Sequence, residues 1–192
     1  MQKGVNQESN PKVTAFFDDA TNTFSYVIED LETRSCAIID SVLDLDYASG
    51  TISYGGVDRI LRFVRDMSLD VKWILETHIH ADHLSAAPYL RQQTGGKIGI
   101  GTHVEKVKKS LGPVFFDSSD FDDNNSTFDM LFDDSQELNI GGLNGYVLHT
   151  PGHTPACVSY IIGDAVFVGD TLFMPDGGTA RADFPGGDAR EL

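Results

Sequence analysis

Thr77-His78-Ile79-His80-Ala81-Asp82-His83 is the stretch on which the fold of this chain turns. Three imidazoles and a carboxylate stand between His78 and His83, directly after the apolar run Val71–Leu75. That run reads as a strand, and the ends of strands are where α/β sheets carry their chemistry. A single histidine on an apolar face is ordinarily a packing residue. Three of them around an aspartate form a cluster of metal-ligand type. A solvated polar loop would not explain the next two features. Thr150-Pro151-Gly152-His153-Thr154 is a second histidine-bearing turn after a strand-like run, and Val166-Phe167-Val168-Gly169 delivers Asp170 at the end of a third.

Around these sites the chain alternates strands and helices. Val13–Phe17 and Thr23–Glu29 are aromatic and β-branched runs separated by Asp18-Asp19-Ala20-Thr21-Asn22, the pattern of a hairpin. Residues 1–12 are expected to be a loose tail and 13–192 one domain. Ser35–Ile39 reads as a strand buried on both faces and ending at Asp40, followed by a turn with Asp44, Asp46 and Tyr47. Val57, Ile60, Leu61, Val64 and Met67 recur at helical spacing. A further helix is expected from Ser85 to Gly95-Gly96, with Pro88 tolerated in its first turn. Lys97–Ile100 reads as a strand, and His103–Leu111 as a short helix with His103 at the surface. Glu137–Ile140, Gly145–His149, Val158–Ile162 and Ala165–Val168 are four more strands broken by glycine turns. Between Pro113 and Asp134 seven aspartates interleave with five phenylalanines. No glycine or glutamate falls where a calcium loop needs it, so this stretch reads as an acidic surface insertion pinned by its aromatics.

The three places quoted first resemble the metallo-β-lactamase superfamily, in which a His-x-His-x-Asp-His loop, a later His and a later Asp build a metal site between two sheets. Three blocks are similar to its persulfide dioxygenase branch, the bacterial β-lactamase-like proteins of sulfide detoxification: Thr150–Cys157, Gly169–Phe173 and Gly178–Gly187, the last being the most specific. The resemblance implies an α/β fold, an αββα sandwich. It also implies a single Fe(II) held by His78, His153 and Asp170, with His80, Asp82 and His83 around the ligands and Arg181 and Asp183 either shaping the pocket or simply tying a loop. The reaction expected on that basis is the oxidation of glutathione persulfide with O2 and water to sulfite and glutathione. A rhodanese-type sulfurtransferase, or a second copy of the chain in a homodimer, are the partners to look for.

The rival implied by the same superfamily is a binuclear zinc thioester hydrolase of the glyoxalase II type, in which His80, Asp82 and His83 join the ligands. No histidine follows His153, so the usual binuclear set is incomplete within these residues. The ending Gly-Gly-Asp-Ala-Arg-Glu-Leu, where a helix is expected to begin, suggests a truncated C-terminal part. A domain that binds metal or sulfur species without turnover is a third alternative.

Composition narrows the classes further. The 192 residues are 41% hydrophobic and 22% charged, those of an ordinary globular domain. A formal charge of -15 opposes nucleic acid and anionic membranes as partners. Two cysteines, Cys36 and Cys157, make no disulfide framework, and Cys157 is expected in the core. Without an apolar leader or a membrane-spanning run, the sequence is that expected of a cytoplasmic protein.

Overall fold

Ser35–Ile39 (β3) and Asp70–Leu75 (β6) run side by side and parallel through the middle of a six-stranded sheet. The computed structural model describes residues 10–107 and 127–192. The sheet is ordered β1-β2-β3-β6-β8-β9, with β1 Lys12–Asp18, β2 Thr23–Glu29, β8 Lys97–Gly101 and β9 Met130–Phe132. The strands β3, β6, β8 and β9 are all parallel, so their C-terminal ends share one edge. Asp40 and the loop after Leu75 leave the sheet together at that edge, as strand-end chemistry requires.

The second sheet is an antiparallel meander of β10 Glu137–Ile140, β11 Leu143–His149, β12 Val158–Ile162 and β13 Ala165–Phe167. Alternation decides which side chains face inward: in β10 the burial pattern is exposed, buried, exposed, buried. Leu138, Ile140, Leu143, Val147, Tyr160 and Ile162 meet Ile28, Ala37, Ile39, Leu75 and Phe132 of the first sheet in one core. The opposite face of the first sheet, with Val27, Ile38, Val71 and Ile74, packs against helices α1 Gly55–Asp66 and α2 Ala87–Thr94. Those helices, the first sheet and the second sheet are three layers of the expected sandwich.

Several local expectations shift. Lys12 already belongs to β1, pairing with Glu29 in register and by an ion pair of 2.8 Å. Residues 1–9 lie outside the described residues, as do 108–126, which hold most of the acidic insertion and the end of the helix expected at His103–Leu111. The far end of that insertion is a sheet element rather than an excursion: β9 adds to β8, and Phe132 is buried in the inter-sheet core. The turn expected after Asp40 is a hairpin of β4 Val42–Asp46 and β5 Thr51–Ser53, to which β7 Leu84–Ser85 adds a third strand. Asp44 caps α1 from a distance, accepting the Gly56 amide at 2.9 Å. A Cβ at Gly56 would stand 2.5 Å from that carboxylate, so the close approach needs glycine.

One side chain ties the second sheet to the strand end that carries the histidines. Tyr160 of β12 is fully buried and donates its hydroxyl proton to the Glu76 carbonyl at 2.8 Å. The substitution Tyr160→Phe leaves that buried carbonyl without this partner, and the expected cost is about 1–3 kcal/mol, read as a lower urea midpoint with an unchanged slope.

Candidate metal centre

Asp40 sits at the end of β3 with a left-handed backbone, φ 49°, and is 5% exposed. Its Oδ1 accepts the Thr77 amide and its Oδ2 the Thr77 hydroxyl, both at 2.8 Å. The hydroxyl proton is thereby spent on Asp40, so Thr77 Oγ1, 3.0 Å from His78 Nδ1, accepts there. Nδ1 of His78 therefore carries the hydrogen, and Nε2 keeps its lone pair. The same logic fixes His153, whose Nδ1–H donates to the Arg181 carbonyl at 2.8 Å and leaves Nε2 free. Both Nε2 atoms face one oxygen, Asp170 Oδ2, at 3.9 Å from His78 and 3.4 Å from His153.

Asp170 reaches that point because Gly169 turns the chain. Its φ is 50°, and a Cβ there would lie 2.4 Å from Thr77 Oγ1. Glycine meets both demands. Two neutral imidazole nitrogens and a carboxylate oxygen, all within 4.8 Å of one another, form a donor set that fits a transition-metal ion. Burial, reinforced by His80, holds the His78 imidazole well below its ordinary pKa, which keeps its lone pair available. Burial raises the Asp170 carboxyl against the pull of His153.

His80 lies outside this set. Its Nε2 stands 3.2 Å from Asp40 Oδ1 and 3.1 Å from Glu76 Oε2. Burial opposes charge on this ring, yet Asp40 and Glu76 prevail and hold it well above the usual histidine range. Burial likewise acts against the Asp40 charge, but attraction to His80 outweighs it and lowers that carboxyl. His80 groups instead with Asp82 and His83, whose ligand atoms also fall within 4.8 Å. Asp82 accepts the Thr23 hydroxyl at 3.5 Å through its side chain and the Tyr47 hydroxyl at 2.9 Å through its backbone oxygen. His83 donates Nδ1–H to the Leu84 carbonyl at 3.0 Å, stacks on His80, and buries an Nε2 that has no partner.

The structure thus brings His78, His153 and Asp170 to one point and His80, Asp82 and His83 to an adjoining one. Arg181 and Asp183 pair with each other, Nη2 to Oδ2 at 2.7 Å, on an exposed surface. Arg181 reaches the centre through its backbone carbonyl, and its guanidinium lies over Phe184, whose ring meets His153 edge-on. His149 donates Nε2–H to the Pro155 carbonyl at 3.0 Å, a structural role. His103 is not an isolated surface residue: it stacks on His149 with ring centroids 4.0 Å apart. Cys157 is buried as expected, its sulfur 3.1 Å from the Thr154 hydroxyl. The supporting roles of Asp40, Glu76 and Thr77 escaped the sequence reading. Glu76 is the residue on which a signal was available, a carboxylate closing an apolar strand two positions before His78.

A cleft of about 630 Å³ opens beside the centre, lined by Asp40, Asp82 and Asp170 and walled by Phe24, Tyr26, Leu172 and Phe173. It leaves an open approach to Asp170, with an apolar rim around an acidic floor.

The family model for the metallo-beta-lactamase superfamily matches residues 18–192. The chain belongs to that superfamily. It is 50% identical over 190 residues to a probable metallo-hydrolase of Burkholderia pseudomallei, covering 94% of this chain and 65% of that protein. Against Glyoxylase B2 of Dictyostelium discoideum it is 45% identical, covering 94% of this chain and 63% of that one. Human mitochondrial persulfide dioxygenase ETHE1 is 25% identical, with 92% of this chain and 58% of that protein covered. Among solved structures, ETHE1 from Myxococcus xanthus matches with a TM-score of 0.72 and 30% identity, over 94% of this chain and 65% of that one. The chain therefore spans somewhat under two thirds of these proteins. Metal binding goes with the superfamily, and no helix among the described residues is long and apolar enough to cross a membrane.

The raised His80 pKa gives a signed expectation for the metal-free protein. Its contribution to stability is fully present below about pH 6.5, the unfolded value, and fades as pH rises through the folded value. The substitution His80→Gln is therefore expected to lower the urea midpoint most near about pH 6 and progressively less toward about pH 9.

Proposed function

We propose that this chain is the metal-binding part of a mononuclear iron persulfide dioxygenase, which oxidises glutathione persulfide with O2 and water to sulfite and glutathione. The observation that carries the proposal is the convergence of His78, His153 and Asp170 on one point, in a group that does not include His80. Two imidazoles and one carboxylate with open positions are the donor set of non-haem Fe(II) oxygenases. The similarity to ETHE1 of Myxococcus xanthus and to a protein named persulfide dioxygenase supports the same chemistry.

Bound Fe(II) would supply positions where a persulfide sulfur and O2 meet, and four electrons would pass from the outer sulfur to O2 as sulfite forms with water. This chain's own residues arrange that encounter. Thr77 and the Arg181 carbonyl fix the tautomers of His78 and His153, so both rings present lone pairs without rearrangement. Asp170 contributes the one negative ligand. Phe24, Tyr26 and Phe173 line the approach with apolar surface, which limits water beside the open positions.

A binuclear zinc thioester hydrolase is the second reading, and a specific atom favours it. The buried, unpartnered Nε2 of His83 is a ready lone pair beside Asp82, and several relatives carry hydrolase names. Turnover separates the two. Anaerobically purified protein supplied with Fe(II) is expected to consume one O2 for each glutathione persulfide added and to leave S-lactoylglutathione intact. The substitutions His78→Ala, His153→Ala and Asp170→Ala are each expected to lower O2 uptake by more than about a hundredfold, beyond what loss of a ligand's supporting group causes. Thioester hydrolysis with no O2 uptake would establish the hydrolase instead.

A further inference from the structure

Persulfide oxidation touches only one end of its substrate. The S–S bond breaks, the outer sulfur gives four electrons to O2 and leaves as sulfite with one oxygen from water, two protons are released, and the carrier departs as its thiol. Everything beyond the two sulfurs meets the walls of the cleft, so the walls decide which carriers fit. Here Leu172, Phe173 and Met174 stand in a row, 58%, 43% and 67% exposed, and Val166 and Phe24, which line the same cleft, are exposed as well. The row is held in place. The Phe173 amide donates to the Gly178 carbonyl at 2.7 Å, and the Gly177 and Gly178 amides donate to the Met174 carbonyl at 2.7 and 3.0 Å. A hydrogen-bonded turn thus presents apolar side chains to water at the cleft, and contiguous apolar surface of that kind marks a place where a ligand lies.

The charges of the cleft point the same way. Among the described residues that line it there is no lysine, arginine or histidine, and its charged groups are Asp40, Asp82 and Asp170. Asp40 is answered by His80 and Thr77, and Asp170 is turned to the His78 and His153 imidazoles and the ion they would hold. Asp82 is left, exposed, with the Thr23 hydroxyl at 3.5 Å. A carboxylate on the carrier would meet Asp82 with no cation in the described wall to offset the repulsion, and would shed water against an apolar surface. An uncharged hydrocarbon arm meets neither cost and covers the exposed row. We propose that the cleft selects persulfides of uncharged apolar thiols, alkyl or aralkyl, over carriers that bear carboxylates, with Leu172 and Phe173 setting the preference. The inference rests on the dioxygenase reading and names its best substrate class. Glutathione persulfide, whose carboxylates lie at the far ends of its arms, is accepted but is not the preferred carrier.

Binding is measured by calorimetry on the anaerobic Fe(II)-loaded chain, with phenylethanethiol and glutathione as probes. Phenylethanethiol is expected to bind about tenfold more tightly, the ratio that partial burial of one aromatic ring gives. Phe173→Ser is expected to narrow that ratio to about twofold, and Leu172→Lys, which puts a cation on the wall, to bring it to about one or reverse it. Both side chains are exposed, so neither change threatens the fold. Equal or tighter binding of glutathione to the unaltered chain overturns the proposal, as does a ratio that neither substitution moves. Failure of phenylethanethiol to bind also overturns it, and gives the apolar row to another occupant such as a second copy of the chain. With the persulfides of the same two thiols, kcat/KM for O2 uptake is expected to follow the binding ratio, and a higher value for glutathione persulfide sinks the proposal alone. O2 uptake with neither persulfide, beside the expected binding ratio, overturns the dioxygenase reading and leaves the selectivity of the cleft standing.

Discussion

Asp40 is the constraint on which the centre depends. A carboxylate buried at the end of a central strand must have its charge compensated, and here it is met by the amide and hydroxyl of Thr77 and by His80. Those three contacts set the course of the loop after β6. They also determine, through the Thr77 hydroxyl, which nitrogen of His78 carries hydrogen. The left-handed backbone of Asp40 is an unfavourable conformation for a non-glycine residue, tolerated where the surroundings fix it. Strand packing thus becomes ligand orientation by way of one side chain. The sheet needs no metal to do this, because every partner is supplied by the protein.

The second element of the design is the approach of three separate chain segments. Tyr160 brings the second sheet against the strand end, Gly169 lets Asp170 close on Thr77, and the Gly178–Gly187 segment supplies the Arg181 carbonyl to His153. Gly187 packs where a Cβ would lie 2.9 Å from the His153 oxygen, so this segment is built to lie directly on the histidine turn. The specific character of that block in the sequence has a physical counterpart: it orients the His153 ring with a backbone carbonyl and covers the ring edge with Phe184.

The candidate ligands were legible in the sequence because they are local. The His-x-His-x-Asp-His spacing is visible within one loop, and His153 and Asp170 each follow a recognisable strand, so the strand-end rule places them at one edge. The inter-sheet core was legible too, from alternation in the second half of the chain. What stayed hidden depends on contacts between residues far apart. The pairing of Asp40 and Glu76 on His80 joins positions 36 residues apart, and the capping of α1 by Asp44 joins a strand to a helix across a hairpin. Arg181 was visible as a charge, but its contribution is a carbonyl, which every residue possesses. β9 was masked by its acidic neighbours, since three residues of strand give too short a period to stand out.

The division between one metal position and two is therefore a question of how many of these prepared nitrogens are used. His78 and His153 are aimed at Asp170, His80 has its Nε2 between the Asp40 and Glu76 carboxylates, and His83 keeps a buried lone pair at the adjoining position. The direct test is elemental analysis of the protein purified without oxygen. About one iron per chain and negligible zinc is the result expected on the proposed single-ion dioxygenase reading. About two zinc ions per chain would contradict it and assign His83 and Asp82 to a working second position.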